Sequence, residues 1–340
     1  MKLIKYYMIQ MGIQYLNTYI KQNCKKGDNR SIVKTNLNEL TNKIIAIDTS
    51  IYLYRFQSEN CLLENIYLMV NIFKFYNIIP IFVFDGKPPK EKFNIIEKRN
   101  KEKLDAEKKY MLLEQKLINI KDENQKNNIL ENIQDLKKKF VRLKRSDIIN
   151  VRNLLDAFGV YQIDAIGEAD ELCARLVIKK YAYACLSEDM DLFLYGCPRV
   201  LRYLSLTNNT VIVYHLDKIL QDINLTFQEF KEICVVSGTD YNYNSTRNLN
   251  LYKILEYFTE YKKYCNNTNK NIDFYTWLDK YHKCIDNIYE LYNTYNMFET
   301  SKQKLPNIKN IQLIKDSNYN KIREIMEPEG FIFLDKNINV

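Results

Sequence analysis

The chain has 340 residues, with 50 Lys and Arg, 42 Asp and Glu and only 2 His, for a formal net charge of +8. A hydrophobic content of 46% is enough for the core of one large or two modest domains, and 8 Gly with 6 Pro exclude a long flexible linker. Two histidines leave no room for a His-rich zinc site, so any metal chemistry has to rest on carboxylates. The eight cysteines form no C-x-x-C pair and read as reduced, buried thiols. The opening MKLIKYYMIQ lacks the apolar core and cleavage site of a secretory leader, and the most apolar stretch, 66–84, is broken by Asn71, Lys74, Asn77 and Pro80. These features predict an intracellular chain without a membrane span.

In chain order, apolar β-branched runs at 43–47 and 78–84 predict strands, with a helix between them that sets Ile66, Met69, Val70 and Phe73 on one face. Residues 90–150 follow as a helical insertion. Within 90–145 lie 17 Lys and Arg against 10 Asp and Glu, nearly all of the net charge, densest at Lys137, Lys138, Lys139, Arg142, Lys144 and Arg145. Such a segment reads either as a solvated, salt-bridged helical pair or as a surface for nucleic-acid phosphates, which bind cations with release of counterions. Beyond it a helix is predicted over 168–181, and strands at 181–186 and 211–214. The run EICVVSGTD is compatible with either helix or strand, and after Tyr241 the pattern is mostly helical. Alternating strand and helix predicts an α/β fold, a mostly parallel sheet with helices on both faces.

Ligands of parallel α/β sheets gather at the carboxyl ends of the strands. KIIAID ends in Asp48, IPIFVFDG reaches Asp85, AYACLSEDMD delivers Asp189 and Asp191, and EICVVSGTD delivers Asp240. DAIGEADEL places Glu168 and Asp170 at the entry turn of a helix, where alone the two can serve one site. If residues 189–191 are extended, the i, i+2 pair points to one side and Met190 to the other, into packing. Each acid has a plainer reading as a turn or helix-start residue, but one shared site accounts for all of them together. Clustered carboxylates need compensating cations. All-oxygen donors suit Mg²⁺ or Mn²⁺, and two such ions can activate a water and stabilise a leaving oxygen in phosphodiester hydrolysis.

The blocks MGIQYL from Met11, IAIDTSIYLYRF from Ile45, FVFDGKPP from Phe82, DAIGEADELCA from Asp164, SEDMDLFLYG from Ser187 and SGTDYN from Ser237 occur in a fixed order. In that order they resemble the flap endonuclease branch of the XPG family of structure-specific 5′ nucleases, over residues 11–245. The resemblance implies a PIN-like core with a helical arch. It implies two Mg²⁺ ions, with Mn²⁺ able to substitute, held by Asp48, Asp85, Glu168, Asp170, Asp189, Asp191 and Asp240. It also implies catalytic cations at Lys92 and Arg99, and a base-stacking Tyr54. Lys138, Arg142 and Arg145 complete the expected DNA-binding set.

The implied division is an N-terminal nuclease region at 11–90, an arch at 91–150 and an internal nuclease region at 151–245. A helical C-terminal region with a divergent DNA-binding hairpin follows at 246–340. The implied activity is cleavage near the base of 5′ flaps in replication and repair. The expected protein is a monomer acting on DNA with a 5′ single-stranded flap or junction, in the nucleus or, for a viral protein, at the site of viral DNA replication. A 5′→3′ exonuclease or junction-cutting relative, and a non-catalytic nucleic-acid scaffold, remain open readings. Three features depart from the family. Ten residues precede Met11, where the family starts at its Met-Gly-Ile. No glycine lies between Gly238 and Gly330, where the family carries a glycine-containing hairpin on duplex phosphates, with an associated monovalent ion. No sliding-clamp-binding motif is evident near the C-terminus.

Overall fold

The computed structural model describes residues 12–118, 122–242, 249–268, 271–299 and 316–333. The segment through Met11 and residues 243–248, within the stretch where the divergent hairpin was expected, lie outside the described residues. Seven strands form one mixed sheet: β1 (Ile32–Asn36), β2 (Ile44–Asp48), β3 (Ile79–Phe84), β4 (Tyr161–Asp164), β5 (Ala184–Leu186), β6 (Arg199–Ser205) and β7 (Thr210–His215). Their order is β1-β7-β6-β5-β2-β3-β4. Neighbours from β6 to β4 run parallel, whereas β7 joins both β6 and β1 antiparallel. The fold is thus the expected mostly parallel α/β sheet, although β1, β4 and β6 have no counterpart among the predicted strands.

The helices of the first half are α1 (Leu16–Asn23), α2 (Thr49–Ser58), α3 (Leu62–Phe75), α4 (Phe93–Ile118), α5 (Glu123–Lys139) and α6 (Arg145–Ala157). Those of the second are α7 (Ala169–Ile178), α8 (Leu216–Asp222), α9 (Phe227–Val236), α10 (Leu251–Thr268), α11 (Phe274–His282), α12 (Ile288–Met297) and α13 (Tyr319–Met326). Strand alternation divides the buried side chains into two cores. Ile45, Ile47, Phe82, Phe84, Ala184 and Leu186 join α2, α3, α6 and α13 on one face, while Ala46, Ile81, Val83 and Cys185 join α1, α7 and α9 on the other. Burial on both faces makes the central strands read as unbroken apolar runs.

The ambiguous run EICVV is helical, within α9. A capping box fixes its start, with Glu229 N donating to Thr226 Oγ1 at 3.2 Å and Thr226 N to Glu229 Oε2 at 2.9 Å. Helix α4, about 39 Å long at 1.5 Å per residue, pairs antiparallel with α5. Rings of Tyr110 and Phe140 lie 5.3 Å apart, and Arg142 reaches Glu107 at 2.6 Å. From the far end of the chain α13 returns to the sheet, burying Ile322 and Met326 against the face that α6 covers. Six of the eight cysteines are buried. Among the described residues no helix is long and apolar enough to cross a membrane.

Beyond β5 the chain is anchored by a buried charge pair. Glu188, 3% exposed, lies 3.4 Å from Arg202 of β6, 1% exposed. Arg202 also donates to the Glu188 carbonyl at 2.7 Å and to Asn17 Oδ1 of α1 at 2.8 Å, while Tyr203 N donates to Glu188 Oε1 at 2.6 Å. A register shift follows Arg202, and Tyr203 takes φ of 57°, a bulge that lets backbone and guanidinium converge on one carboxylate. Losing one partner of such a pair strands the other charge in the interior. Arg202→Met is therefore expected to lower the unfolding free energy by about 3–5 kcal/mol, measured by urea denaturation. A loss near the roughly 0.5 kcal/mol of an ordinary surface substitution would contradict this.

Candidate active site

Parallel strands β5, β2 and β3 align their carboxyl ends, and the seven candidate acids follow from there. Asp48 is the last residue of β2, Asp85 follows β3, and Asp189 and Asp191 follow β5. Glu168 stands at the N-cap of α7 with Asp170 in its first turn, and Asp240 lies beyond α9. All seven share one electrostatic field. Asp48 is repelled by Asp85 and Asp189, Asp170 by Glu168, Asp189 and Asp48, and Asp191 by Asp189, Asp240 and Glu168.

Local devices aim these side chains. A Cβ on Gly86 would stand 2.1 Å from the Ala165 carbonyl oxygen, so only glycine lets the turn after β3 close on the loop carrying Glu168. Asp85 Oδ1 then accepts from Ala169 N, the first residue of α7, at 2.8 Å, and its Oδ2 accepts from the Ser50 hydroxyl. Asp240 sits in a loop that Asn242 ties down, accepting from Thr239 N at 2.8 Å and donating to the Val235 carbonyl at 2.7 Å.

The pair at 189 and 191 differs from expectation. Met190 is helical (φ −81°, ψ −16°) rather than extended, Asp191 opens a 3₁₀ turn, and Asp191 N donates to Asp189 Oδ1 at 2.9 Å. A side-chain-capped turn, not strand alternation, brings the two acids together; Met190 is buried. Gly12, at φ of +69°, packs its backbone on this pair. A Cβ there would stand 2.6 Å from Asp191 Oδ1 and 2.7 Å from Asp189 Oδ1. Its role was visible in sequence only as part of the MGIQYL block.

Lys92 closes a 3₁₀ turn ahead of α4 and points down into the acids. Its Nζ lies 2.5 Å from Glu168 Oε1 and 3.9 Å from Asp240 Oδ2, and Arg99 meets both Asp240 oxygens at 2.9 and 2.8 Å. Burial opposes the charge on Lys92, yet Asp170, Glu168, Asp240 and Asp189 outweigh it and hold the ammonium above the ordinary lysine range. One turn past Arg99, Lys103 lies 5.0 Å over the ring of Tyr54, which stands half-exposed on α2. Burial, then Arg99 and Arg142, push the Lys103 pKa down, so these three cations form one positive band. Sequence reasoning missed Lys103, whose only signal is its i, i+4 spacing from Arg99. Arg142 pairs with Glu107 of α4, Lys138 is half-buried in the last turn of α5, and exposed Arg145 opens α6.

Burial pushes Asp48, Asp170, Asp189 and Asp191 above the usual carboxylate range, and repulsion adds to it, chiefly from Asp85 on Asp48, Glu168 on Asp170, Asp240 on Asp189 and Asp189 on Asp191. A Ser187 hydroxyl at 2.9 Å eases Asp48. Among the described residues, both oxygens of Asp191 are buried without a hydrogen-bond partner, a costly state for an acid whose repulsion by Asp189, Asp240 and Glu168 is only partly offset by Lys92. This oxygen-only donor set fits hard divalent ions. Among the described residues no three acidic, His or Cys side chains converge as a ready coordination shell; Glu168 and Asp240 are instead turned onto Lys92 and Arg99.

Comparison with known proteins bears on the family and the fold. Residues 11–106 match the XPG N-terminal domain and residues 159–240 the XPG I-region, together just over half of the chain. The chain is 27% identical to flap endonuclease 1 of Methanococcus aeolicus over 87% of its length and 91% of that protein. It is 32% identical to flap endonuclease 1-A of Xenopus laevis, in a match spanning 49% of this chain and 41% of that protein. In fold it is similar to the catalytic core of Rad2 in complex with DNA substrate, with a TM-score of 0.65 at 19% identity, covering 94% of this chain and 95% of that one.

Self-repulsion in the cluster has a measurable consequence without any DNA. Asp191→Asn is expected to raise the melting temperature in EDTA at neutral pH, by about 2–4 °C per kcal/mol of charge burial relieved. Millimolar Mg²⁺ is expected to stabilise the wild type more than the variant. A variant that melts at or below the wild type in EDTA would contradict the reading of Asp191 as an acid held under net repulsion.

Proposed function

This chain belongs to the XPG family of structure-specific nucleases, and we propose on that basis that it is a divalent-metal-dependent endonuclease hydrolysing DNA phosphodiesters near the base of 5′ flaps. The observation that carries the reading is the mutual repulsion of carboxylates gathered at one edge of the sheet beneath Lys92 and Arg99, with both Asp191 oxygens lacking a hydrogen-bond partner among the described residues. We assign Asp48, Asp85, Glu168, Asp170, Asp189, Asp191 and Asp240 to hold two Mg²⁺ ions, for which Mn²⁺ can substitute. When bound, such ions supply Lewis-acid activation of a water and charge neutralisation at the leaving oxygen.

The chain's own residues account for the rest of the reaction. Lys92 and Arg99, which now neutralise Glu168 and Asp240, are the cations a scissile phosphate would meet first. Exchanging a carboxylate for phosphate oxygens leaves each of the two cations paired throughout. Lys103 extends this band along α4, and Tyr54 beneath it offers a ring face for an unpaired base. The α4–α5 pair, within an arch we assign to 91–150, carries Lys138, with Arg142 and Arg145 just beyond α5, to follow the backbone of the 5′ single strand. Regions 11–90 and 151–245 form the nuclease core in this reading, and 246–340 a helical C-terminal part. The setting is DNA replication and repair, in the nucleus or at a site of viral DNA replication, by a monomer acting on flap or junction DNA.

The test is cleavage of an end-labelled 5′-flap duplex in Mg²⁺. A single product near the flap base, lost in EDTA and with Asp189→Ala while that variant still binds DNA, is expected. A ladder of short products would favour a 5′→3′ exonuclease instead, and full activity of Asp189→Ala would overturn the site assignment. Lys92→Ala or Arg99→Ala is expected to lower kcat by about 10²–10³-fold, the usual cost of removing a preorganised charge-stabilising group. Replacing Lys138, Arg142 and Arg145 together by Ala is expected to weaken DNA binding for every sequence and flatten its salt dependence, measured by fluorescence anisotropy.

A further inference from the structure

We infer that Tyr241, held in place by Tyr195, is a positioning residue that fixes Glu168 and Lys92 in the site. The inference rests on the nuclease reading above and concerns two side chains that lie within the SEDMDLFLYG and SGTDYN blocks but received no role from sequence reasoning. Tyr241 and Tyr195 are both buried. The Tyr241 hydroxyl donates to Glu168 Oε2, while Lys92 takes Glu168 Oε1 at 2.5 Å. With the Tyr241 proton committed to the carboxylate, the Tyr195 hydroxyl 3.0 Å away is the donor to the Tyr241 oxygen. Both rings pack on Phe298, at centroid distances of 5.0 Å for Tyr195 and 5.3 Å for Tyr241, and the Lys92 ammonium lies 5.0 Å over the Tyr241 ring.

One aromatic residue therefore contacts both members of the Lys92–Glu168 pair. Glu168 has little else to orient it. It stands at the N-cap of α7, yet its side chain makes no capping bond to that helix. When Lys92 turns to a substrate phosphate, Glu168 loses its cation, and the neutral bond from Tyr241 is what keeps its carboxylate in the same rotamer. Oε2 stays occupied by the phenol and Oε1 is released toward the other acids. Tyr195 in turn keeps the Tyr241 hydroxyl from rotating away. Phenylalanine would fill the same space at either position but donate nothing.

Tyr241→Phe and Tyr195→Phe test this, with Tyr275→Phe as control. Tyr275 is a comparably buried tyrosine whose hydroxyl donates to the Glu232 carbonyl, at 3.2 Å, away from the acids. The primary readout is Mn²⁺ binding without DNA, followed by the electron paramagnetic resonance signal of free ion. Tyr241→Phe is expected to raise the half-saturating Mn²⁺ concentration by about tenfold, the lower end of outer-shell effects. Tyr195→Phe should shift it less in the same direction, and Tyr275→Phe not at all. In cleavage, Tyr241→Phe is expected to lower kcat with little change in KM for the flap duplex, and added Mg²⁺ should recover part of the loss. If wild type binds Mn²⁺ and folded Tyr241→Phe titrates identically, the inference fails and the nuclease reading stands. Should Tyr241→Phe not fold, Tyr195→Phe decides by the same criterion. If the wild type binds no Mn²⁺, the nuclease reading fails and takes this inference with it.

Discussion

Mutual repulsion among seven carboxylates, drawn from strand ends, a helix start and a loop onto one edge of the sheet, is the constraint around which the rest of the molecule is arranged. Parallel strands deliver Asp48, Asp85 and the 189/191 pair to the same edge because their registers align their carboxyl ends. Desolvation then raises the cost of charge on Asp48, Asp170, Asp189 and Asp191, and the surroundings respond with whatever donors they have. Ser187 bonds Asp48, Ser50 and the amide of α7 bond Asp85, and Lys92 and Arg99 reach from the start of α4 onto Glu168 and Asp240. Asp191, packed against the Gly12 backbone, receives no hydrogen bond to its carboxylate among the described residues. A cluster built only for stability would not leave a buried acid in that state.

The same cations link the site to its expected substrate. Lys92, Arg99 and Lys103 lie on one side of the α4 limb, so Lys92 and Arg99, which now neutralise carboxylates, stand in line with Lys103 where a phosphate backbone would recruit all three. Arg142, tied to Glu107, braces the second limb against the first. The buried Glu188–Arg202 pair does corresponding work below. It fixes the loop of Asp189 and Asp191 to β6 and, through Asn17, to the helix that follows Gly12. Rigidity in these supports is what allows a self-repelling cluster to persist in one geometry.

Much of this was legible in the residues alone. The central strands β2, β3, β5 and β7 announce themselves as apolar, β-branched runs, and the acids that end or follow the first three were identified from position. β4 and β6 were not, for physical reasons. β4 is the four-residue run YQID at the sheet edge, with too few buried positions to show a pattern. β6 carries Arg199, Arg202 and Tyr203, and its Arg202 is buried only because Glu188, fourteen positions earlier, compensates it. The ambiguous EICVV run resolves as helix through the Thr226–Glu229 capping box just upstream, a local signal that outweighs its β-branched content. Contacts between distant segments were the hidden part of the site. Tyr241 on Glu168, Lys103 over Tyr54 and Gly12 against Asp191 span separations that no motif records.

The central claim is that the carboxylate cluster is a cation site which Lys92 and Arg99 guard until substrate arrives. Anomalous diffraction from crystals grown with Mn²⁺ and a non-cleavable flap duplex tests it most directly. The account requires manganese peaks among Asp48, Asp85, Glu168, Asp170, Asp189, Asp191 and Asp240, with Lys92 and Arg99 moved from their carboxylates onto phosphate oxygens. DNA bound over a cluster without manganese, with the Lys92–Glu168 and Arg99–Asp240 pairs intact, would contradict it.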